Sequence, residues 1–200
     1  MILALLMFLL PLAYSPGPGN LYFAAAGAQV GARATVAASV GYHLATWGVT
    51  LAIGLGSLAT LAQQPAIFAA VKLLGGGYIL WIAWRFARSS RLRHRNTATD
   101  VRFVDGVVLL LFNPKAYVII ALMFSQFLDP ARLPAVGAGH IGQVLLITTV
   151  FTLNNLLAFT VWTLAGDRLA RVFSSPAQAR WLNTGFAVTL AGVGLWMLLD

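Results

Sequence analysis

Cysteine is absent from this 200-residue chain, glutamate is absent, and only 9% of the residues are charged. The missing cysteines exclude disulfides, thiolate metal sites and thiol nucleophiles together. The missing glutamates leave five aspartates as the whole stock of carboxylate side chains. A soluble domain normally carries about 25% charged residues. A chain this poor in charge cannot surround a core with water-facing groups, so lipid has to cover it. Also missing are a phosphate-binding glycine loop with its lysine, an HExxH pair, and any Ser–His–acid set that a common depth would bring together. These absences speak against ATP as the direct energy source on this chain and against a resident metal or cofactor.

What is present is apolar. Hydrophobic residues make up 60% of the chain, and glycine, with 19 copies, is as frequent as is usual where membrane helices pack closely. The net charge of +8 would suggest nucleic acid in a soluble protein. Here no basic run is interleaved with aromatics as a single-strand groove requires. The cations sit in short segments between apolar stretches, where they act as orientation signals. The expected surroundings are therefore membrane lipid, not nucleic acid.

A membrane-crossing helix needs about 20 apolar residues. Six stretches qualify: Met1–Gln29, Ala34–Leu61, Pro65–Phe86, Phe103–Leu128, His140–Ala165 and Trp181–Leu199. Met1–Leu12 lacks the basic segment of a signal peptide and reads as the start of the first membrane helix. If every stretch crosses once, ten arginines fall on one side: Arg33, Arg85, Arg88, Arg91, Arg93, Arg95, Arg102, Arg168, Arg171 and Arg180. The other side holds only Arg132. The positive-inside rule then makes the arginine-rich loops cytoplasmic and turns both termini outward, with the inner (plasma) membrane as the expected location. Trp81, Trp84, Trp162, Trp181 and Trp196 fall near predicted span ends, as interfacial aromatics do, whereas Trp47 lies deep in the second span.

The fold class expected is an all-α polytopic membrane protein, a single transmembrane domain over residues 1–200. Residues 1–95 and 101–200 each hold three spans, and an odd number per half inverts one half relative to the other. Both halves open on a span broken by proline, at Pro16 and Pro18 in the first and Pro114 in the fourth. Paired interrupted helices at matching places in inverted repeats point to the binding site of a secondary transporter.

Ser15-Pro16-Gly17-Pro18-Gly19-Asn20 cannot continue an ideal helix. A half-helix starting near Asn20 would offer unpaired N–H groups and a positive dipole end to a carboxylate. A packing kink is the plainer alternative. At the second break, Asn113-Pro114-Lys115 places an ammonium about 12 residues into its span, near the midplane. Lys115 either serves a solute there or hydrogen-bonds freed carbonyls of the broken helix. Lys72, nearer the outer surface, is a gating candidate or a snorkelling residue. His43, Trp47 and Thr50 share one face, and His43 could handle protons or simply bond a neighbouring helix. Thr148, Thr152 and Asn155 share another face with Asn154 adjacent, as substrate contacts or as interhelical glue. By counting, Asn20, His43, Asn113, Lys115, Asn154 and Asn155 all reach the middle third. Asp105 lies near the cytoplasmic mouth, as a coupling group or as the ion-pair partner of Arg102.

Together these motifs resemble the LysE/RhtB amino-acid exporter family. The resemblance runs from the Ser15–Pro18 break through Gly27, Gly31-Ala32-Arg33, Gly41 and Gly54-Leu55. It continues through Lys72, Gly75, Tyr78, Leu80, Trp84, Phe103-Val104-Asp105-Gly106 and Asn113-Pro114-Lys115 to Gln126-Phe127 and the closing Arg180–Leu198 segment. It implies a six-helix exporter of amino acids or close derivatives, driven by a proton or ion gradient, with the two broken helices as substrate and gating elements. Those elements map onto Pro16, Gly17, Pro18, Asn113, Pro114 and Lys115. The direction of flux comes from the resemblance alone. Two departures stand out. Many relatives carry an acid near the position of Thr46, where this chain has none, and Ser125 stands where a proline commonly precedes the Gln-Phe pair. The rival readings are a membrane-embedded enzyme acting on a lipid or lipid-linked substrate, a passive channel and a structural subunit. The sequence leaves room for a homo-oligomer.

Overall fold

The computed structural model describes residues 1–56, 65–88, 101–128, 138–173 and 175–199, and every regular element among them is helical. In chain order they are α1 (Ile2–Tyr14), α2 (Pro18–Val30), a 3-10 turn (Ala32–Thr35), α3 (Val36–Leu55), α4 (Pro65–Arg88), α5 (Phe103–Leu111), α6 (Pro114–Phe127), α7 (Ala138–Val172) and α8 (Pro176–Leu199). Among the described residues, Ala32–Leu55 and Gly139–Val172 are each long and apolar enough to cross a membrane. The pairs α1/α2 and α5/α6 pass the same test as bent units, with bends of 60° and 63°. That gives up to four spans by length and composition, and α4 adds a shorter apolar segment, Leu73–Trp84. Six crossings require α4 and α8 to traverse as well.

Both breaks use the same local chemistry. The residue before a proline is pushed out of the helical region, and proline itself fits the first position of a new helix. Accordingly Ser15 ends α1 in an extended conformation (φ −62°, ψ 142°), and Pro18 opens α2 after an extended Gly17. Asn113 is extended (φ −100°, ψ 95°), and Pro114 opens α6. The predicted first and fourth stretches are thus each two helices. The fifth stretch outruns its predicted end at Ala165, since α7 continues to Val172 and carries Asp167 into a buried position.

The three principal helix pairings, α2 with α7, α3 with α5 and α4 with α8, all join residues of 1–95 to residues of 101–200. Glycine makes each of them close. A Cβ on Gly27 would strike the Thr163 carbonyl, and one on Gly166 the Ala24 carbonyl. Gly41 meets the Phe103 carbonyl, and Gly106 meets the Ala38 carbonyl and the Tyr42 amide. Gly76 and Gly194 face each other between α4 and α8. Lipid tails are as apolar as leucine, so such backbone approach replaces the hydrophobic drive that packs soluble helices. Two apolar cores result. One surrounds Phe23, Tyr42, Leu109, Leu110 and Phe159, and the other surrounds Leu5, Leu9, Ile120, Met123 and Phe151.

Trp81, Trp84, Trp181 and Trp196 are exposed, as aromatics at a membrane–water boundary are, and the Arg88 guanidinium lies 4.2 Å from the Trp84 ring centre. Arg91, Arg93, Arg95 and Arg132 lie outside the described residues, as do the side chains of Lys72 and Arg85.

Replacing Gly106 or Gly166 with alanine should force apart backbones already in contact, at a cost of about 1–3 kcal/mol. Gly48→Ala, with nothing within 4 Å of the added carbon, should be neutral or slightly stabilising. Thermal unfolding of the purified variants in detergent checks this. Equal midpoints for Gly106→Ala and Gly48→Ala would overturn the close-crossing account.

Candidate functional site

A proline break inside an apolar span deprives carbonyls of their helical donors, and hydrocarbon supplies none. At the end of α1 the protein supplies them from side chains. The Leu12 carbonyl accepts from Ser15 Oγ at 3.0 Å, and the Ala13 carbonyl accepts from Asn20 Nδ2 at 2.9 Å. The Tyr14 carbonyl accepts from Trp162 Nε1 at 3.1 Å. The Ser15 carbonyl accepts from Lys115 Nζ at 2.6 Å, and the same ammonium reaches Ser15 Oγ at 3.0 Å. Four consecutive carbonyls are thus satisfied by four side chains, two of them from α6 and α7. At the second break Tyr117 Oη donates to the Leu111 carbonyl at 3.0 Å. Asn113 Nδ2 donates to Tyr42 Oη on α3 at 3.0 Å.

These bonds bring the two breaks together around one cavity, lined by Asn20, Tyr42, Asn113, Lys115, Asn155, Phe159 and apolar neighbours. Its volume is about 10 Å³, room for a single water molecule. Gly17 lets the lysine pass, because a Cβ there would sit 2.7 Å from Lys115 Cδ. Gly19 similarly admits Phe159. One polar atom of the cavity wall, Asn113 Oδ1, has no hydrogen-bond partner. Buried polar groups are nearly always paired, so this oxygen marks a place where a water or a donor group of a solute fits.

Of the residues singled out in the sequence, Asn20, Asn113, Lys115 and Asn155 line this cavity, and Gly17 borders it. Pro16, Pro18 and Pro114 set the two bends. His43 is buried beside the cavity rather than in its wall. Its ring centre is 5.2 Å from that of Tyr42 and 5.4 Å from that of Phe159, and Nδ1 lies 2.7 Å from the Ser39 carbonyl. Asn154 is buried without lining the cavity. Trp47 stands apart. It is 37% exposed, and its Nε1 donates to Thr149 Oγ1 at 3.3 Å on the outer surface. Asp105 accepts from the Arg102 backbone amide at 2.8 Å, a helix-start interaction in place of the expected guanidinium pair. Among the described residues no group of three or more His, Asp or Glu side chains could hold a metal.

Ser15, Tyr42, Phe159, Trp162 and Asp167 carry more of the architecture than sequence reasoning assigned them. Tyr42 and Ser15 adjoin residues that were singled out. Trp162 reads as an interfacial residue by position, and only the bend of α1 makes the Tyr14 carbonyl available to it. Asp167 pairs with Arg171 one turn along α7 and lies beside the Gly31 turn.

Trp162→Phe and Asn20→Leu each leave one carbonyl unpaired in apolar surroundings. Each should lower stability by about 1–3 kcal/mol, read by denaturant unfolding in mixed micelles. Two neutral variants would show that water, not these side chains, satisfies the end of α1.

A family model described as LysE type translocator matches residues 10–200. The chain is 28% identical to an uncharacterized membrane protein of Vibrio cholerae over 202 residues, covering 96% of this chain and 94% of that one. It is 27% identical to a homoserine/homoserine lactone efflux protein of Salmonella typhimurium over 191 residues, covering 92% and 88%. It is 28% identical to a cysteine/O-acetylserine efflux protein of Salmonella paratyphi A over 180 residues, covering 89% and 87%. No solved structure matches the chain.

Proposed function

The chain belongs to the LysE type translocators, and on that premise we propose that it is a secondary transporter that exports small amino acids or close derivatives. Membership in a translocator family sets aside the lipid-directed enzyme. The proposed setting is the inner membrane, crossed six times by two inverted three-helix repeats, with arginine-rich loops cytoplasmic and both termini outward. A proton or ion gradient drives the cycle.

One observation carries the mechanism: the Lys115 ammonium sits on the Ser15 carbonyl and hydroxyl, so a cation from the second break closes the first. An amino acid carries both charges needed to undo that bridge. Its carboxylate draws Lys115 away, and its own ammonium takes over the Ser15 carbonyl. A direct tie between the breaks becomes a tie through the solute, and the bends of α1/α2 and α5/α6 are free to change. The cavity of about 10 Å³ is far too small for an amino acid, so binding requires those bends to open. Asn20, Asn113 and Asn155 then meet the solute's polar groups. The named relatives are efflux proteins for homoserine and homoserine lactone and for cysteine and O-acetylserine; homoserine, cysteine and O-acetylserine are small α-amino acids with short polar or thiol side chains, whereas the lactone has no free carboxylate and would engage Lys115 through its ester carbonyl. That class suits a site walled by amides and a tyrosine hydroxyl. His43, buried against the rings of Tyr42 and Phe159, is the proposed proton-handling group beside this cavity.

Purified protein reconstituted in liposomes, given a panel of labelled amino acids with and without an imposed pH gradient, should accumulate one or a few of them. Lys115→Met should abolish this flux while inserting normally. Undiminished flux in that variant would sink the bridge-exchange mechanism. No flux of any panel member by the unaltered chain would remove amino acids as the substrate class. His43→Gln should keep downhill exchange and lose its response to pH, and an unchanged response would clear His43 of coupling.

A further inference from the structure

Threonines form a buried stack that leads away from the Lys115 cavity. Three contacts set α3 and α7 antiparallel in one register. The His43 ring centre lies 5.4 Å from that of Phe159, Trp47 Nε1 donates to Thr149 Oγ1, and a Cβ on Gly54 would sit 2.6 Å from Val144 Cγ1. One helical turn back from Gly54 is Thr50, and one turn on from Val144 is Thr148. Residues a turn apart share a helix face, so these two threonines stand level on the facing sides of α3 and α7. A further turn reaches Thr46 and Thr152, and the next arrives at Tyr42 and Asn155 in the cavity wall. Thr50 and Thr148 are fully buried, and neither hydroxyl has a hydrogen-bond partner. Thr46, Thr152, Thr160, Thr163 and Thr189 instead return their hydroxyls to the carbonyl four residues back. Two buried hydroxyls left out of that bond are unusual, since buried polar groups are nearly always paired. They fit the wall of a polar passage that is shut in this conformation.

An apolar plug does the shutting. The second core takes Leu5 and Leu9 from α1, Met123 and Phe124 from α6, and Val144 and Phe151 from α7. It lies on the same side of the cavity as Thr50 and Thr148, the side that the proposed topology turns outward. Phe124 closes it against α3, because its Cζ lies 2.6 Å from where a Cβ on Gly54 would be. Nine residues of α6 separate Lys115 from Phe124, roughly 14 Å along one helix, so the lysine and the ring move together. The core thus draws on α1 and α6, the two arms that the bridge from Lys115 to Ser15 ties together. We propose that this second core is the outer gate of the solute's route, that Phe124 on Gly54 is its closing contact, and that Thr50 and Thr148 line the passage it opens. The inference rests on the proposed release of the α1 and α6 arms and adds the direction in which they open. When Phe124 leaves Gly54 with α6, the two hydroxyls gain water or the solute's polar groups as partners, each able to donate and to accept.

The chain has no cysteine, so a single introduced thiol reports its own exposure. Thr50→Cys and Thr148→Cys are made singly in the full chain, and spheroplasts expressing them are treated from outside with a membrane-impermeant methanethiosulfonate. Both positions should label slowly while Lys115 holds the bridge. Lys115→Met removes a charge-assisted hydrogen bond and should raise the labelling rate roughly 10- to 150-fold. Phe124→Leu, which shortens the plug with the bridge intact, should raise it as well. Ala25→Cys, in the first core, should stay unlabelled in both backgrounds. Labelling with Phe124→Leu but not with Lys115→Met keeps the gate and removes the bridge of the proposed function. Fast labelling of either threonine position in the otherwise unaltered chain overturns the gate. So does slow labelling in both backgrounds, a rise with Lys115→Met alone, an equal rise at Ala25→Cys, or labelling confined to inside-out vesicles.

Discussion

Four peptide carbonyls, Leu12 to Ser15, lose their helical donors in the middle of an apolar span, and most of the central architecture follows from satisfying them. An unpaired carbonyl in hydrocarbon costs several kcal/mol. The protein meets that cost with a serine hydroxyl, an asparagine amide, an indole and an ammonium. Because Trp162 and Lys115 come from α7 and α6, closing the end of α1 fixes where those helices sit. The break is thus an organising element and not a defect tolerated by its surroundings.

Lys115 is the most demanding of the four donors. A neutral donor could satisfy a carbonyl, whereas an ammonium at this depth brings its own desolvation cost. Its presence is economical only where the charge is used, and two negative ends converge on it here: the Ser15 carbonyl and the serine hydroxyl oxygen. Gly17 keeps the approach open, and the Tyr42–Asn113 bond holds the second break against α3. The close glycine crossings use α2, the second arm of the first break, and α5, the first arm of the second. The arms left with looser contacts are α1 and α6, which are the two that Lys115 ties together. In the proposed cycle these are the arms that move, held by side-chain packing around Leu5, Leu9 and Met123 and not by backbone contact.

Much of this was legible from residue types alone. The two breaks, a lysine just after the second of them and the convergence of Asn20, Asn113 and Asn155 follow from proline chemistry and from counting along apolar stretches. What counting does not give is azimuth. Trp47 and His43 sit one turn apart on the same helix, yet one faces outward and the other is buried. Which side of α3 meets α5 is decided by Gly41 and Gly106, two residues with no side chain to read. Asp167 escaped for a related reason. An aspartate next to an arginine reads as the start of a loop, whereas α7 continues past it and α2 covers it at the Gly27–Gly166 crossing. Trp162 reads as an interfacial residue by position, and counting does not reveal that the bend of α1 offers it a free carbonyl, that of Tyr14.

The missing acid near Thr46 can be reconsidered in the same terms. Thr46 is fully buried, and its hydroxyl bonds the Tyr42 carbonyl one turn back, so that position is closed on itself and calls for no charge. If the proposed cycle is coupled to protons, it needs a group that changes its proton. Asp167 is held by Arg171 at the α2–α7 crossing, and Asp105 is spent on the start of α5. Lys115 is engaged by the first break. His43 alone among these groups combines burial with contact to two rings of the cavity wall. Within the proposed mechanism, the coupling group is then the imidazole of His43, one turn before Thr46 on the same helix.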